Sequence, residues 1–201
     1  MNGRLIVFEG VDGAGKSSVS NDFAVALRER GLATNLLGFP GNEVGTLGHL
    51  VYRLHHDPHV FDVMSLTPSS LQTLHIAAHL DALETTIIPL LTSGKCVILD
   101  RYWWSTWVYG KTDGMRRDVL DALIHVERTA WEKWRPAIVY YVTRQKPLRE
   151  EPLDKWQRLK ATYEKLIAVE TGAYPIHVLH NDGDFKSTVQ DALLHIPFDA
   201  S

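Results

Sequence analysis

Cysteine is nearly absent from this sequence: Cys96 stands alone among 201 residues, which excludes a disulfide within the chain and points to a reducing compartment, the cytoplasm. Set in the apolar run Cys96-Val97-Ile98-Leu99, the thiol is expected to be a small buried hydrophobe rather than a nucleophile. Long hydrophobic runs are missing as well. None nears the roughly 20 apolar residues of a membrane span. The opening stretch from Met1 to Phe8 meets Glu9 too early to serve as a signal peptide, so no membrane association is expected. Nor does one sign of charge dominate. Against 24 acidic residues stand 21 Lys and Arg, a net charge of −3, without the basic face that binds nucleic acid by neutralising phosphates. Internal repeats and low-complexity linkers are lacking too, so one domain over 1–201 is expected.

What is present is an alternation. Short apolar runs rich in β-branched residues recur at Leu5 to Phe8, Ala33 to Phe39, Cys96 to Leu99, Ala137 to Val142 and Ile176 to Leu179, with longer helical patterns between them. Leu80, Leu83, Ile87 and Leu90 keep helical spacing, as do Trp156, Leu159, Tyr163 and Leu166, and likewise Val119, Ala122, Val126 and Ala130. Thr67-Pro68 offers a cap and a first-turn proline for the long central helix, and Ser93-Gly94 stops it. The pattern predicts an α/β protein of three layers on a five-stranded parallel sheet. Residues 143–154, with Arg144, Lys146, Arg149, Pro147 and Pro152, fit neither period and are expected to form a short lid loop.

The strongest chemical signal follows the first strand. Gly10-Val11-Asp12-Gly13-Ala14-Gly15-Lys16-Ser17 is a complete G-x-x-x-x-G-K-[ST] phosphate loop, standing between a strand and a helix as its chemistry requires. Glycines let backbone N–H groups curl around a β-phosphate, the helix N-terminus adds partial positive charge, Lys16 reaches the β/γ oxygens, and Ser17 ligates Mg²⁺. Ser18 extends the same turn. Asp100, closing the third strand before Arg101, is the second expected Mg²⁺ ligand. A bound nucleoside triphosphate with Mg²⁺ is therefore expected.

These segments resemble the thymidylate kinase family of nucleoside monophosphate kinases. The resemblance rests on Phe8-Glu9-Gly10-Val11-Asp12 through Ser18, Phe39-Pro40 with Gly45-Thr46-Leu47-Gly48, Asp100-Arg101-Tyr102 with Ser105 and Tyr109-Gly110, and the ending Asn181-Asp182-Gly183. It implies a P-loop fold, ATP and Mg²⁺, small-molecule nucleotides as partners, and phosphoryl transfer to a deoxynucleoside monophosphate; whether the chain forms a homodimer stays open. It also implies that Asp12 contacts the acceptor's sugar hydroxyl, that Arg101 bridges donor and acceptor phosphates, and that Tyr109 faces the sugar. Where some members carry a basic residue in the phosphate loop this chain has Gly13, so Arg144 or Arg149 is expected to supply the missing catalytic charge.

Three departures fall on the acceptor side, beside Phe39. The arginine expected after Phe-Pro is Asn42, the base-stacking aromatic is Ile76, and the base-contacting arginine is Leu80. The lost Arg–phosphate fork removes a contact worth about 1.5–3 kcal/mol, so an acceptor other than dTMP is expected. His79 is a candidate base contact or a structural residue. With His75 it invites a zinc reading that no acid or cysteine at matching spacing supports. Trp103 and Trp104 could restore the stacking wall, pack in the core or form an oligomer interface. Two further functions stay open: a deoxynucleoside kinase with Glu43 as general base, and a non-catalytic ATP-binding switch.

Overall fold

The computed structural model describes residues 3–197, so the first two and last four residues of the expected domain lie outside the described residues. Five strands form one parallel sheet in the order β2-β3-β1-β4-β5: β1 Leu5–Glu9, β2 Thr34–Gly38, β3 Cys96–Asp100, β4 Ile138–Thr143 and β5 Ile176–His180. All five expected strands are present, with no end shifted by more than one residue. β1, β3 and β4 read as apolar runs up to their last residues because helices cover both faces of the sheet.

On one face pack α1 (Lys16–Glu29) and α8 (Phe185–Leu194), around Phe8, Phe23, Leu27, Tyr140 and Leu193. The other face carries α3 (Pro68–Ala82), α5 (Trp103–Thr112), α6 (Arg117–Trp131) and α7 (Leu153–Glu170), over Leu99, Trp104, Leu120, Trp131 and Tyr163. α2 (Leu47–His56) lies against α3, and a π turn at Leu83–Ile87 joins α3 to the short α4 (Ile88–Thr92). Thr67 caps α3 by accepting from the Ser70 N–H at 3.2 Å, and the run stops at Ser93 and Gly94 as its sequence predicts. No helix among the described residues is long and apolar enough to cross a membrane.

One packing expectation needs correction. The buried stripe of α6 is Leu120, Ile124, Glu127 and Trp131; of the expected Val119, Ala122, Val126 and Ala130, the first and last pack at the margin of the core while Ala122 and Val126 are exposed. The larger Leu, Ile and Trp side chains bury more apolar surface and set the rotation of the helix. Of the readings open for Trp103 and Trp104, core packing holds: they are 1% and 0% exposed within the aromatic core of Tyr102, Trp131 and Tyr174. Cys96 is buried as expected, and burial pushes its thiol up to about 11.

Candidate active site

The sheet order puts β1 in the middle, so its C-terminal end is flanked by the ends of β3 and β4. The phosphate loop leaves β1 there, Asp100-Arg101 leaves β3, and the loop of residues 144–152 leaves β4. The loop's turns need glycine. Gly10, Gly13 and Gly15 have φ of 142°, 76° and 93°, and a Cβ on Gly15 would sit 2.3 Å from Asn181 Nδ2. Asn181, just past β5, donates to Ala14 O at 2.9 Å and braces the loop from the far side.

Lys16, Ser17, Ser18, Asp12, Gly13, Gly15, Arg101 and Arg149 line a cavity of about 190 Å³. Lys16 is 5% exposed, and its Nζ donates to Val11 O at 3.1 Å. Burial first, then the Arg101 guanidinium, pushes its ammonium down to about 8. Ser17 Oγ donates to Asp100 Oδ2 at 2.5 Å, while Asp100 Oδ1 is buried with no partner. A cation would satisfy that orphaned oxygen, and the pair has the hard-oxygen chemistry that Mg²⁺ takes.

Arg101 occupies the left-handed region at φ 85°, a conformation that costs a non-glycine residue free energy and must be held from outside. Its own N–H donates to Phe8 O at 2.9 Å, and the Tyr102 and Ser105 N–H groups donate to Glu9 Oε1 at 2.8 and 3.0 Å. The Arg101 guanidinium pairs with Asp12 and donates to Ser105 Oγ at 2.9 Å. Tyr109 Oη donates to Asp12 Oδ2 at 2.6 Å, and Trp156 Nε1 donates to Asp12 O at 2.8 Å. Burial would raise the Asp12 carboxyl, but Arg101 and then Lys16 outweigh it and hold it below its ordinary value.

Glu9 and Trp156 are members of this site that the sequence reading assigned no role there. Glu9 is wholly buried and also accepts from Ser105 Oγ and Tyr163 Oη. Burial pushes its carboxyl above the usual range against the pull of Arg101 and Lys16. An acid ending an otherwise apolar strand was the available signal. Trp156 gave none, since its spacing marks it only as core.

The two lid arginines part company. Leu148 N–H donates to Gly13 O at 2.9 Å, closing 144–152 over the phosphate loop and setting Arg149 3.7 Å from Asp12 and 2.7 Å from Glu151. Arg144 instead lines a separate cavity of about 360 Å³ with Lys160, Glu164 and His180. The expected 143–154 loop is shorter at both ends, because Thr143 continues β4 and Leu153 and Asp154 begin α7.

On the acceptor side, Phe39 and Ile76 are each 4% exposed. The Phe39 ring stacks on His79 at 4.0 Å, and His79 Nδ1 lies 2.6 Å from Glu127 Oε1, so this histidine is enclosed in the interior rather than presented to a base. Asn42 is exposed and faces His49 Nδ1 at 3.1 Å, and Glu43 beside it is exposed in the same loop. The His55–His75 and His75–His79 ring centres lie 5.5 and 6.3 Å apart, and no three of these histidines converge their ligand atoms.

The family model described as thymidylate kinase matches residues 8–175. The chain is 38% identical over 122 residues to the thymidylate kinase of Dinoroseobacter shibae, covering 60% of this chain and 56% of that protein. It is 33% identical over 141 residues to that of Chlorobium luteolum, covering 69% and 61%. Those alignments thus span less than two thirds of the relatives' length. The solved thymidylate kinase of Ehrlichia chaffeensis shares the fold, with a TM-score of 0.77 at 20% identity over 96% of this chain and 98% of that one.

Proposed function

The chain belongs to the thymidylate kinase family, and from that premise we propose that it transfers the γ-phosphoryl group of ATP to a nucleoside monophosphate other than dTMP. One observation carries the proposal: Lys16, Arg101 and Arg149 converge on the cavity beside the Ser17–Asp100 pair. Phosphoryl transfer through a loose transition state asks for positioning and charge neutralisation, which three fixed cations at one cavity supply. Lys16 would hold the β- and γ-oxygens, with Gly10, Gly13, Ala14, Gly15 and Ser18 shaping the cradle around the triphosphate. Mg²⁺, held by Ser17 and Asp100, would neutralise charge on the same oxygens. Arg101 would exchange its Asp12 partner for the phosphates of donor and acceptor, freeing the Asp12 carboxylate for the acceptor's sugar hydroxyl beside Tyr109. Arg149, joined to the phosphate loop through Leu148, would provide the charge that Gly13 cannot.

A phosphate acceptor needs no general base, because its attacking oxygen is already ionised. The exposed Glu43 carboxylate is therefore not required, and neither the nucleoside-hydroxyl route nor a non-catalytic switch is favoured by the family match. The proposed compartment is the cytoplasm. A homodimer is proposed from the exposed Leu50, Tyr52, Val60 and Met64 on and after α2, and sedimentation of the protein checks it.

An ADP-coupled assay with Mg·ATP against nucleosides and their monophosphates tests the function. Turnover is expected with a monophosphate, and kcat/KM for dTMP is expected at least about tenfold below the best acceptor, the deficit left by one missing arginine fork. Turnover on nucleosides alone, or fastest turnover on dTMP, would overturn the assignment.

A further inference from the structure

We propose that His177, Asp191 and His195 form a binding site for a borderline divalent transition cation such as Zn²⁺. His177 lies near the start of β5 and the other two at the end of α8, away from the strand ends that build the phosphate cavity. His177 Nε2 is 3.1 Å and His195 Nδ1 3.0 Å from the same oxygen, Asp191 Oδ1, and the three ligand atoms lie within 4.8 Å of one another. Zinc bonds of about 2.0–2.2 Å at tetrahedral angles set ligand atoms roughly 3.4 Å apart, so small side-chain adjustments complete the site.

The arrangement of the rings brings two nitrogens and a carboxylate together. The two imidazoles stack at 3.7 Å between centroids and 17° between planes, with a nitrogen of each turned to one carboxylate oxygen. His195 Nδ1 also lies 2.9 Å from Asp191 O, so binding through that nitrogen displaces a hydrogen bond, while rotation of the ring offers Nε2 instead. The side chains of His177, Asp191 and His195 are 24%, 41% and 48% exposed, which leaves the site open to a cation and to water as a fourth ligand.

Two imidazoles and one carboxylate select Zn²⁺, Ni²⁺ or Cu²⁺ over Mg²⁺, which prefers oxygen alone, so this site does not compete for the metal of the phosphate cavity. Its effect is mechanical. A bound cation clips the last helix to the edge strand, and that strand leads into Asn181, the brace on Ala14.

Calorimetric titration of the protein with Zn²⁺ in the presence of millimolar Mg²⁺ tests the proposal. One zinc site is expected, with affinity lowered at least tenfold in His177→Gln and in His195→Gln, and with the zinc-dependent rise in Tm lost in both. Co²⁺ should give the strong visible absorption of a four-coordinate centre in the parent protein and not in these variants. Retained Mg·ATP binding shows that the variants are folded, and Asp191→Asn serves as a third probe if either histidine variant fails to fold. Zinc binding that persists unchanged in the variants, at the His55 and His75 group for example, or no saturable binding by the parent, overturns the proposal.

Discussion

Lys16 carries its charge in a place that resists it. Burial and the neighbouring Arg101 hold its ammonium at about 8 rather than at the ordinary 10.5. The unfolded chain therefore binds more protons between those values, so stability rises as pH climbs from about 8 towards 10.5, and below 8 the buried charge is a standing cost to the ligand-free protein. Lys16→Met is expected to be the more stable protein at pH 7 without nucleotide, with the difference shrinking above pH 8, and denaturant melts across that range check it. ATP reverses the balance, since its triphosphate favours the charged lysine. At pH 8, binding should take up about half a proton at Lys16, read by calorimetry in buffers of different ionisation enthalpy, and the uptake should vanish in Lys16→Met.

Between elements, two contacts invite measurement. His79 on α3 and Glu127 on α6 form a buried pair at 2.6 Å, with side chains 5% and 0% exposed. Glu127→Leu leaves the imidazole unpartnered and should cost about 1–3 kcal/mol. The double change His79→Leu with Glu127→Leu should be less destabilising than that single, since it leaves neither group unpaired, and a denaturant double-mutant cycle decides it. The loop of residues 144–152 makes a different claim. Arg149→Met is expected to lower kcat at least tenfold with a smaller change in KM for ATP, whereas Arg144→Met, whose side chain lines the other cavity, should leave kcat within a few-fold. Equal losses from both would return Arg144 to the site.

The strands, the phosphate loop and the caps of α3 were legible in the sequence because each is a local pattern: an apolar run, a glycine spacing, a Thr-Pro start. The rotation of α6 was not, because Val119, Ala122, Val126 and Ala130 keep helical spacing as well as Leu120, Ile124 and Trp131 do, and only packing volume chooses between them. The separation of Arg144 from Arg149 was hidden for a related reason: it depends on Leu148 bonding to Gly13, a pairing across 135 residues that no local pattern records.

For the molecule as a whole, the parallel order β2-β3-β1-β4-β5 gathers contributions from segments far apart in sequence at the C-terminal ends of the central strands. The tie among them is Glu9, whose carboxylate joins the end of β1 to the start of α5 and, through Tyr163, to α7. A site fastened in this way has no cheap local opening. The amides of Tyr102 and Ser105 should exchange with deuterium only as slowly as the entire fold comes apart, at the rate of the deepest core strands, and heat should extinguish turnover and tertiary structure together. Early exchange at those two amides, or activity lost well before the near-ultraviolet dichroism, would show instead that the phosphate loop and α5 separate while the rest of the protein stands.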